Sequence, residues 1–466
     1  MKIIAETAGN QKKVAIIVAT ISCFMEPFLY SSVTVALPTI GREFAMGPVL
    51  LGWISTTFLL VITPFTIPFG RLGDIHGRKK MFMRGLFGLL IASLLISVSN
   101  SGRMVIFCRA LQGFASAMIT TSVIPMLVSV VPSREQGRVL GIATASTYFG
   151  LSVGPFIGGL ITHYLGWRFI FWFHIILCLM LIAMTHFMLK GDSTRAVGEK
   201  FDLWGSVILG CGLVMTMYGF SSLPSLQSVI LIALGIVDLV FFVFFERKTD
   251  HPIVDINLFR HNRVFAFSNL AALIIYTATF AIGFLMSLYL QKVKALTPQA
   301  TGLILVAQPI LQAVFSPMSG RLSDRMEPRL LATWGMALSL LGLIMLFFLG
   351  PATPLFYIVI CLMLFGVGFA LFSSPNINAL MSSVDRQVYG VANATLSTMR
   401  HIGMTFSMGI VMVAMSLMMG NAEITPDNPG QFIASMRIAL VIFALMCFGG
   451  IFASQARGNI KRLDQS

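Results

Sequence analysis

Four charged side chains stand where charge is costly. Glu26, Arg109, Asp238 and Arg400 each lie in a long apolar run of this 466-residue chain. Apolar surroundings favour a neutral carboxyl, and a nearby cation favours its anion, so such a group can take up and release a proton. Of the 18 acidic residues only Glu26 and Asp238 fall well inside apolar runs. Glu26, followed by Pro27, is the first candidate to hold a proton or a cationic cargo. Arg109 stays protonated and would act by tuning that carboxyl. Gln112, three residues on, shares its helical face. Asp238 is read as structural. Arg400 and His401 form a second polar spot, and His174 and His186 are read as packing or hydrogen-bonding residues. No Ser/His/Asp arrangement, metal-spaced His/Glu set or phosphate-binding Gly-x-x-x-x-Gly-Lys loop is present. Catalytic residues, a metal and a cofactor are therefore not expected. The six cysteines sit in apolar runs, with neither disulfide nor zinc spacing.

Two glycine-rich motifs have a mechanical reading. In Gly70-Arg71-Leu72-Gly73-Asp74-Ile75-His76-Gly77-Arg78-Lys79-Lys80, the glycines permit a tight turn. Asp74 can pair with Arg78 or cap a helix. In Gly150-Leu151-Ser152-Val153-Gly154-Pro155-Phe156-Ile157-Gly158-Gly159, the glycines allow a neighbouring helix to approach closely. Pro155 there removes a helical hydrogen bond.

The elements that hold these residues follow from composition. Hydrophobic residues make up 56% of the chain and charged ones 11%, against roughly 25% charged in a soluble domain. A soluble fold cannot hide that much apolar surface. Fourteen apolar segments are expected as membrane-spanning helices: 14–37, 48–70, 81–99, 103–126, 138–163, 168–189, 203–222, 226–245, 264–289, 299–320, 330–350, 354–380, 389–419 and 433–454. With the N-terminus inside, 24 of the 32 Lys and Arg fall on inside segments, six fall outside, and Arg109 and Arg400 remain within spans. That bias places both termini in the cytoplasm. It also explains the net charge of +14 without nucleic acid, since the basic residues face anionic lipid.

The chain also repeats. Pro48-x-x-x-Gly52 recurs as Pro298-x-x-x-Gly302, and Gly70-Arg71-Leu72-Gly73-Asp74 as Gly320-Arg321-Leu322-Ser323-Asp324, both at an offset of 250. Gly141-Ile142-Ala143-Thr144-Ala145-Ser146 recurs as Gly390-Val391-Ala392-Asn393-Ala394-Thr395. Spans two and five thus match spans ten and thirteen. The expected architecture is all-α and polytopic: a six-helix bundle over 1–190, two inserted helices over 191–263, and a second six-helix bundle with a short tail over 264–466. Parallel repeats of this kind mark secondary transporters, with the site at the repeat interface near the midplane.

The loop Gly70 to Lys80 resembles the signature loop of the major facilitator superfamily, Gly-x-Leu-Ala-Asp-x-x-Gly-Arg-Lys, with Ile75 where an Arg is common. Arg109-Ala110-Leu111-Gln112-Gly113 resembles the superfamily's Arg-x-x-Gln-Gly motif, whose Arg is implicated in proton transfer. The run from Gly150 to Gly159 resembles the pattern of its antiporters. Val35-Ala36-Leu37-Pro38-Thr39-Ile40, Trp167-Arg168-Phe169-Ile170-Phe171, Phe201-Asp202-Leu203-Trp204-Gly205 and His251-Pro252-Ile253-Val254-Asp255 resemble segments of the fourteen-span drug:proton antiporter branch. One departure stands out: where that branch usually has an Asp in span one, this chain has Leu29, and Glu26 lies three residues earlier.

The resemblance implies a proton-driven exporter of lipophilic or cationic small molecules, working by alternating access in a prokaryotic cytoplasmic membrane, with protons, small-molecule cargo and lipid as partners. A monomer is expected. Gly70, Asp74, Gly77, Arg78 and Asp324 would form a latch between the halves. Gly150, Gly154, Pro155, Gly158 and Gly159 would form a seam along which they rock. Export or uptake of a specific metabolite, siderophore or amino acid is the alternative, and a polytopic membrane enzyme or sensor is a more distant one.

Overall fold

The computed structural model describes residues 2–131, 133–189, 201–249, 253, 256–323, 325–384, 389–420 and 429–458. Asp324 and all but Ile253 of the segment from His251 to Asp255 lie outside them. The described residues contain helices and no strand. Fourteen helical segments are long and apolar enough to cross a bilayer. Spans one to six are Gln11–Glu43, Pro48–His76, Arg78–Ser97, Gly102–Ser129, Val139–Tyr164 and Arg168–Met188. Spans seven and eight are Leu203–Ser221 and Leu226–Glu246. Spans nine to fourteen are Arg263–Val293, Pro298–Ser323, Pro328–Phe347, Leu355–Ser382, Ala392–Met419 and Gly430–Gln455. The basic loops gather at the end where span one begins, here called the basic end.

Helix starts follow local chemistry. The Ser101 and Ser225 hydroxyls accept from the Met104 and Ser228 amides, and Asp202 accepts from Gly205 at 2.8 Å. Asn262 accepts from Phe265 at 2.9 Å, and Thr297, followed by Pro298, accepts from Ala300. Two spans are broken. Span nine pauses between Thr279 and Ile282, where the Ala281 amide donates to Ser407 Oγ at 2.9 Å. Span ten breaks at Val306, because Pro309 lacks the N–H that would bond the Leu305 carbonyl.

Span one runs past Leu37, where the sequence suggested its end, to Glu43. Pro38 leaves the Thr34 carbonyl without its helical partner. Ser287 of span nine donates to that oxygen at 2.8 Å, and Gln291 donates to Val35 O at 2.9 Å. A tertiary contact thus carries the helix through its proline.

Spans one and five pack along their length, as do two and four. Span seven lies against spans two and thirteen, with Leu209, Leu213 and Met217 beside Leu60 and Ile402. Span eight packs on span seven, with only 17% of its apolar window buried against 67% for span nine. The inserted pair therefore covers one seam between the first six spans and the last six, and span eight faces lipid.

The two sets of six spans meet at the end opposite the basic one. There Gly159 lies against Pro298, and Gly302 against the Pro155 carbonyl. The repeat-related Gly52 lies against Met412, and Thr56 Oγ1 donates to Met412 Sδ at 3.3 Å. Towards the basic end the sets part. The face of span five that carries Gly159, Pro155 and Tyr148 continues through Ala145 and Gly141, both exposed, and Gly141 has nothing within 4 Å of where a Cβ would stand.

Candidate functional site

Several of the polar residues within the spans lie well inside the bundle. Counted at 1.5 Å per residue from the first residues of their spans at the basic end, Glu26, Tyr148, Tyr276 and Arg400 lie about 23, 14, 20 and 12 Å in. Glu26 Oε1 is buried without a hydrogen-bonding partner. Its hydrogen-bonding neighbour is the Ser116 hydroxyl of span four, and its charge is felt by Cys23 and by Cys178 of span six. One turn on, Tyr30 stacks on Phe280 of span nine with ring centres 4.8 Å apart.

Arg109 is fully buried and well bonded. Its Nε donates to the Ile54 carbonyl at 3.1 Å, its Nη1 donates to Gln112 Oε1 at 2.7 Å, and its carbon lies 4.6 Å from the centre of the Phe58 ring. Gln112 Nε2 donates to Ser93 Oγ at 2.9 Å, and Ser93 pairs with His174 Nδ1 at 3.0 Å. A continuous polar chain thus ties spans two, three, four and six. Glu26 and Arg109 do not bond to each other. Because span one extends to Glu43, Glu26 lies about 25 Å from that end, whereas Arg109 is about 10 Å from Gly102. Ser116, seven residues deeper than Arg109, is the span-four residue level with Glu26.

The second set of spans supplies the other wall. Tyr276 of span nine lies within electrostatic reach of Arg400 and Tyr148 and has the Ser373 hydroxyl as a hydrogen-bonding neighbour. Arg400 lies 5.6 Å from the centre of the Tyr276 ring, and Phe369 meets that ring edge-on at 5.1 Å. Tyr148 Oη and Ser373 Oγ, 3.3 Å apart, join span five to span twelve. The result is an aromatic-walled layer holding one carboxylate and one unbonded guanidinium. Sequence reasoning passed over Tyr30, Tyr148, Tyr276, Ser116 and Ser373. The available signal was scarcity: eight Tyr against 39 Phe, with a mid-span Tyr needing a partner for its hydroxyl.

The remaining candidates separate by location. Gly150, Gly154 and Gly158 pack on span one at Phe24, Phe28, Ser31 and Ser32, and Ser32 Oγ donates to Gly154 O at 2.9 Å. Gly159 and Pro155 face span ten instead. Gly70 and Gly73 lie close to Thr121 and Ser122 of span four. Gly77 has φ 108°, a conformation glycine adopts freely, and its amide donates to Gly73 O at 3.0 Å. Arg78 Nε donates to Asp74 Oδ1 at 2.7 Å, so this acid is paired inside its own set of spans. Asp324 lies outside the described residues. Asp238 faces span seven, where its Oδ2 is buried without a partner near Gly212. A cavity of about 130 Å³ at the closed end is lined by residues including Arg42, Met46 and Lys292. It is smaller than the roughly 300–1,000 Å³ of ordinary ligand sites and stands apart from the mid-depth layer.

The same architecture occurs in the peptide transporter POT, with a TM-score of 0.70 over 93% of each chain at 11% sequence identity. Among curated proteins, the chain is 27% identical to riboflavin transporter RibZ of Clostridioides difficile over 86% of its length and 87% of that protein's. It is 27% identical to multidrug resistance protein Stp of Mycobacterium tuberculosis, over 81% of this chain and 71% of that one. It is likewise 27% identical to multidrug resistance protein 3 of Bacillus subtilis, over 77% and 71%. The Major Facilitator Superfamily model matches residues 19–408, and the chain, a polytopic membrane protein, belongs to that family of transporters.

Proposed function

We propose that this transporter exports lipophilic small molecules, cationic ones included, in exchange for protons, and that Glu26 is the carboxyl that alternates between proton and cargo. The observation that carries this reading is the buried, unpartnered Glu26 Oε1 in an aromatic layer midway through the bundle. A carboxyl there is stable when protonated and costly when bare, so proton loss is tied to another partner's arrival. Similarity to two multidrug resistance proteins supports the cargo class.

In this reading the basic end and both termini face the cytoplasm of a prokaryotic cell, the conformer is open inward, and the protein works as a monomer. Two six-helix units, residues 1–190 and 264–466, rock about the layer, with the helices of 191–263 bridging one seam. Gly70, Asp74, Gly77, Arg78 and Asp324 would latch the cytoplasmic side when it closes. The riboflavin transporter relative favours a second reading, transport of one specific aromatic metabolite.

The test is efflux from a pump-deficient bacterial host expressing the protein. A panel of ethidium, puromycin and riboflavin should show uncoupler-sensitive export of at least one lipophilic member. Uncoupler-resistant export would remove the proton from the account, and selective riboflavin movement would favour the second reading.

A further inference from the structure

The two arginines inside the spans are in opposite states. Arg109 has its charge spread over a carbonyl, an amide oxygen and an aromatic face. Arg400 has the Tyr276 ring and nothing else: its Nε is buried without a partner, and none of its nitrogens forms a hydrogen bond or ion pair with a described residue. They are not repeat-related, since the offset of 249 that aligns spans five and thirteen sets Arg400 against Leu151. Glu26, the one carboxylate of the layer, is engaged with Ser116 and has no contact with Arg400.

An unpaired guanidinium at mid-depth is costly to keep. Its position is nonetheless fixed. Gly403, one turn on, leaves room for only backbone contact with Leu273 and Thr277 and for the Tyr276 side chain. Arg400 as a whole is half-buried, and of its nitrogens only Nε is fully buried without a partner, so the terminal nitrogens keep some accessibility. Tyr276 lies beside Arg400, Phe369 meets the Tyr276 ring edge-on, and Tyr148 and Ser373, whose hydroxyls are 3.3 Å apart, lie within reach of Tyr276. A planar fork beside aromatic faces is suited to a carboxylate or similar oxyanion carried on a ring system.

We infer that Arg400 is a cargo-binding residue and that the cargo range includes aromatic molecules bearing an acidic group, the oxyanion on Arg400 and the ring system among Tyr276, Phe369 and Tyr148. This rests on the mid-depth layer being the transport site. It extends the cargo range to acids and zwitterions, which a purely cationic substrate range would not include.

The test is binding to purified full-length protein of three matched pairs: the 2-carboxylates and 2-carboxamides of naphthalene and anthracene, and the 1-carboxylate and 1-carboxamide of pyrene. In each pair the ring is constant and only the charge differs. At least one acid should bind tenfold or more tightly than its amide. Arg400→Gln should abolish that preference while leaving amide affinity unchanged, and Arg400→Lys should keep part of it. Equal affinity of acid and amide across all pairs, absence of binding by every acid, or a preference that survives Arg400→Gln would overturn the inference. Should Arg400→Gln also lose amide binding, the wild-type ratios and Arg400→Lys decide. Uncoupler-sensitive ethidium efflux by a wild type without acid preference would sink this inference and leave proton-driven export standing.

Discussion

Gly158 and Gly159 are neighbours in one helix, yet a methyl group on each should do different things. A Cβ on Gly159 would stand 2.6 Å from the Pro298 carbonyl oxygen, 3.2 Å from its carbon and 3.3 Å from Gln299 Cα. All three are backbone atoms of span ten, so no side chain can swing aside. Reaching an ordinary 3.4 Å separation parts spans five and ten by about 0.8 Å. A Cβ on Gly158 would stand the same 2.6 Å from Ser32 Cα, but on span one, inside its own set of spans. Each overpacked contact costs about 1–3 kcal/mol, and each substitution gains the same helix propensity, up to about 1 kcal/mol. The Gly158→Ala cost is present in every conformer and lowers stability. The Gly159→Ala cost exists only while that end is closed. It should therefore shift the conformational equilibrium by roughly 5- to 150-fold, at about 1.4 kcal/mol per factor of ten.

The assay is electron-spin distance measurement between labels at Leu165→Cys and Thr297→Cys, exposed positions at that end on the two sets of spans, in a background lacking the six native cysteines. Gly159→Ala should move the population to longer distances with an unchanged melting temperature. Gly158→Ala should leave the distances alone and melt earlier, and Gly141→Ala should do neither. Identical behaviour of Gly158→Ala and Gly159→Ala would refute the reasoning.

Three further outcomes follow from the geometry. Arg109→Lys cannot reproduce bonds from two guanidinium nitrogens to Ile54 O and Gln112, so it should lose about 1.5–3 kcal/mol of stability, the value of one charged hydrogen bond, by chemical unfolding in detergent. Asp238→Asn, between the two inserted helices and away from the layer, should leave transport rates within a factor of two, as read by dye efflux. Arg457, past the end of span fourteen, is 2% exposed with none of its nitrogens bonded to a described residue, and burial pushes its guanidinium down to about 9. Its charged form is thus disfavoured in the fold, and Arg457→Met should raise stability by about 1–4 kcal/mol at neutral pH. The gain should shrink as pH rises through 9, where the native arginine sheds its proton.

Much of the fold was legible because membrane insertion writes itself into composition. Apolar length, basic loops and capping residues such as Ser101 and Asn262 mark helix ends locally. The continuation through Pro38 was not legible, since the group that satisfies the freed Thr34 carbonyl, Ser287, lies some 250 residues away. The site was legible as a list of costly residues, not as contacts. Glu26 and Arg109 stand out in the sequence, and the structure buries Arg109 and the Oε1 of a half-buried Glu26, but their depths depend on where span one ends, and Ser116 stands where an arginine was anticipated. Of the glycine seam, the sequence pattern could not say that Gly158 faces span one and Gly159 faces span ten, because adjacent residues on a helix differ by about 100° in direction.

The most direct measurement is proton movement in proteoliposomes holding the purified protein, with a pH-sensitive dye inside and ethidium added as cargo under an imposed gradient. The wild type should exchange protons for ethidium, and Glu26→Gln should abolish that exchange while still allowing gradient-independent ethidium equilibration. Undiminished proton exchange by Glu26→Gln would contradict the assignment of the coupling carboxyl to span one.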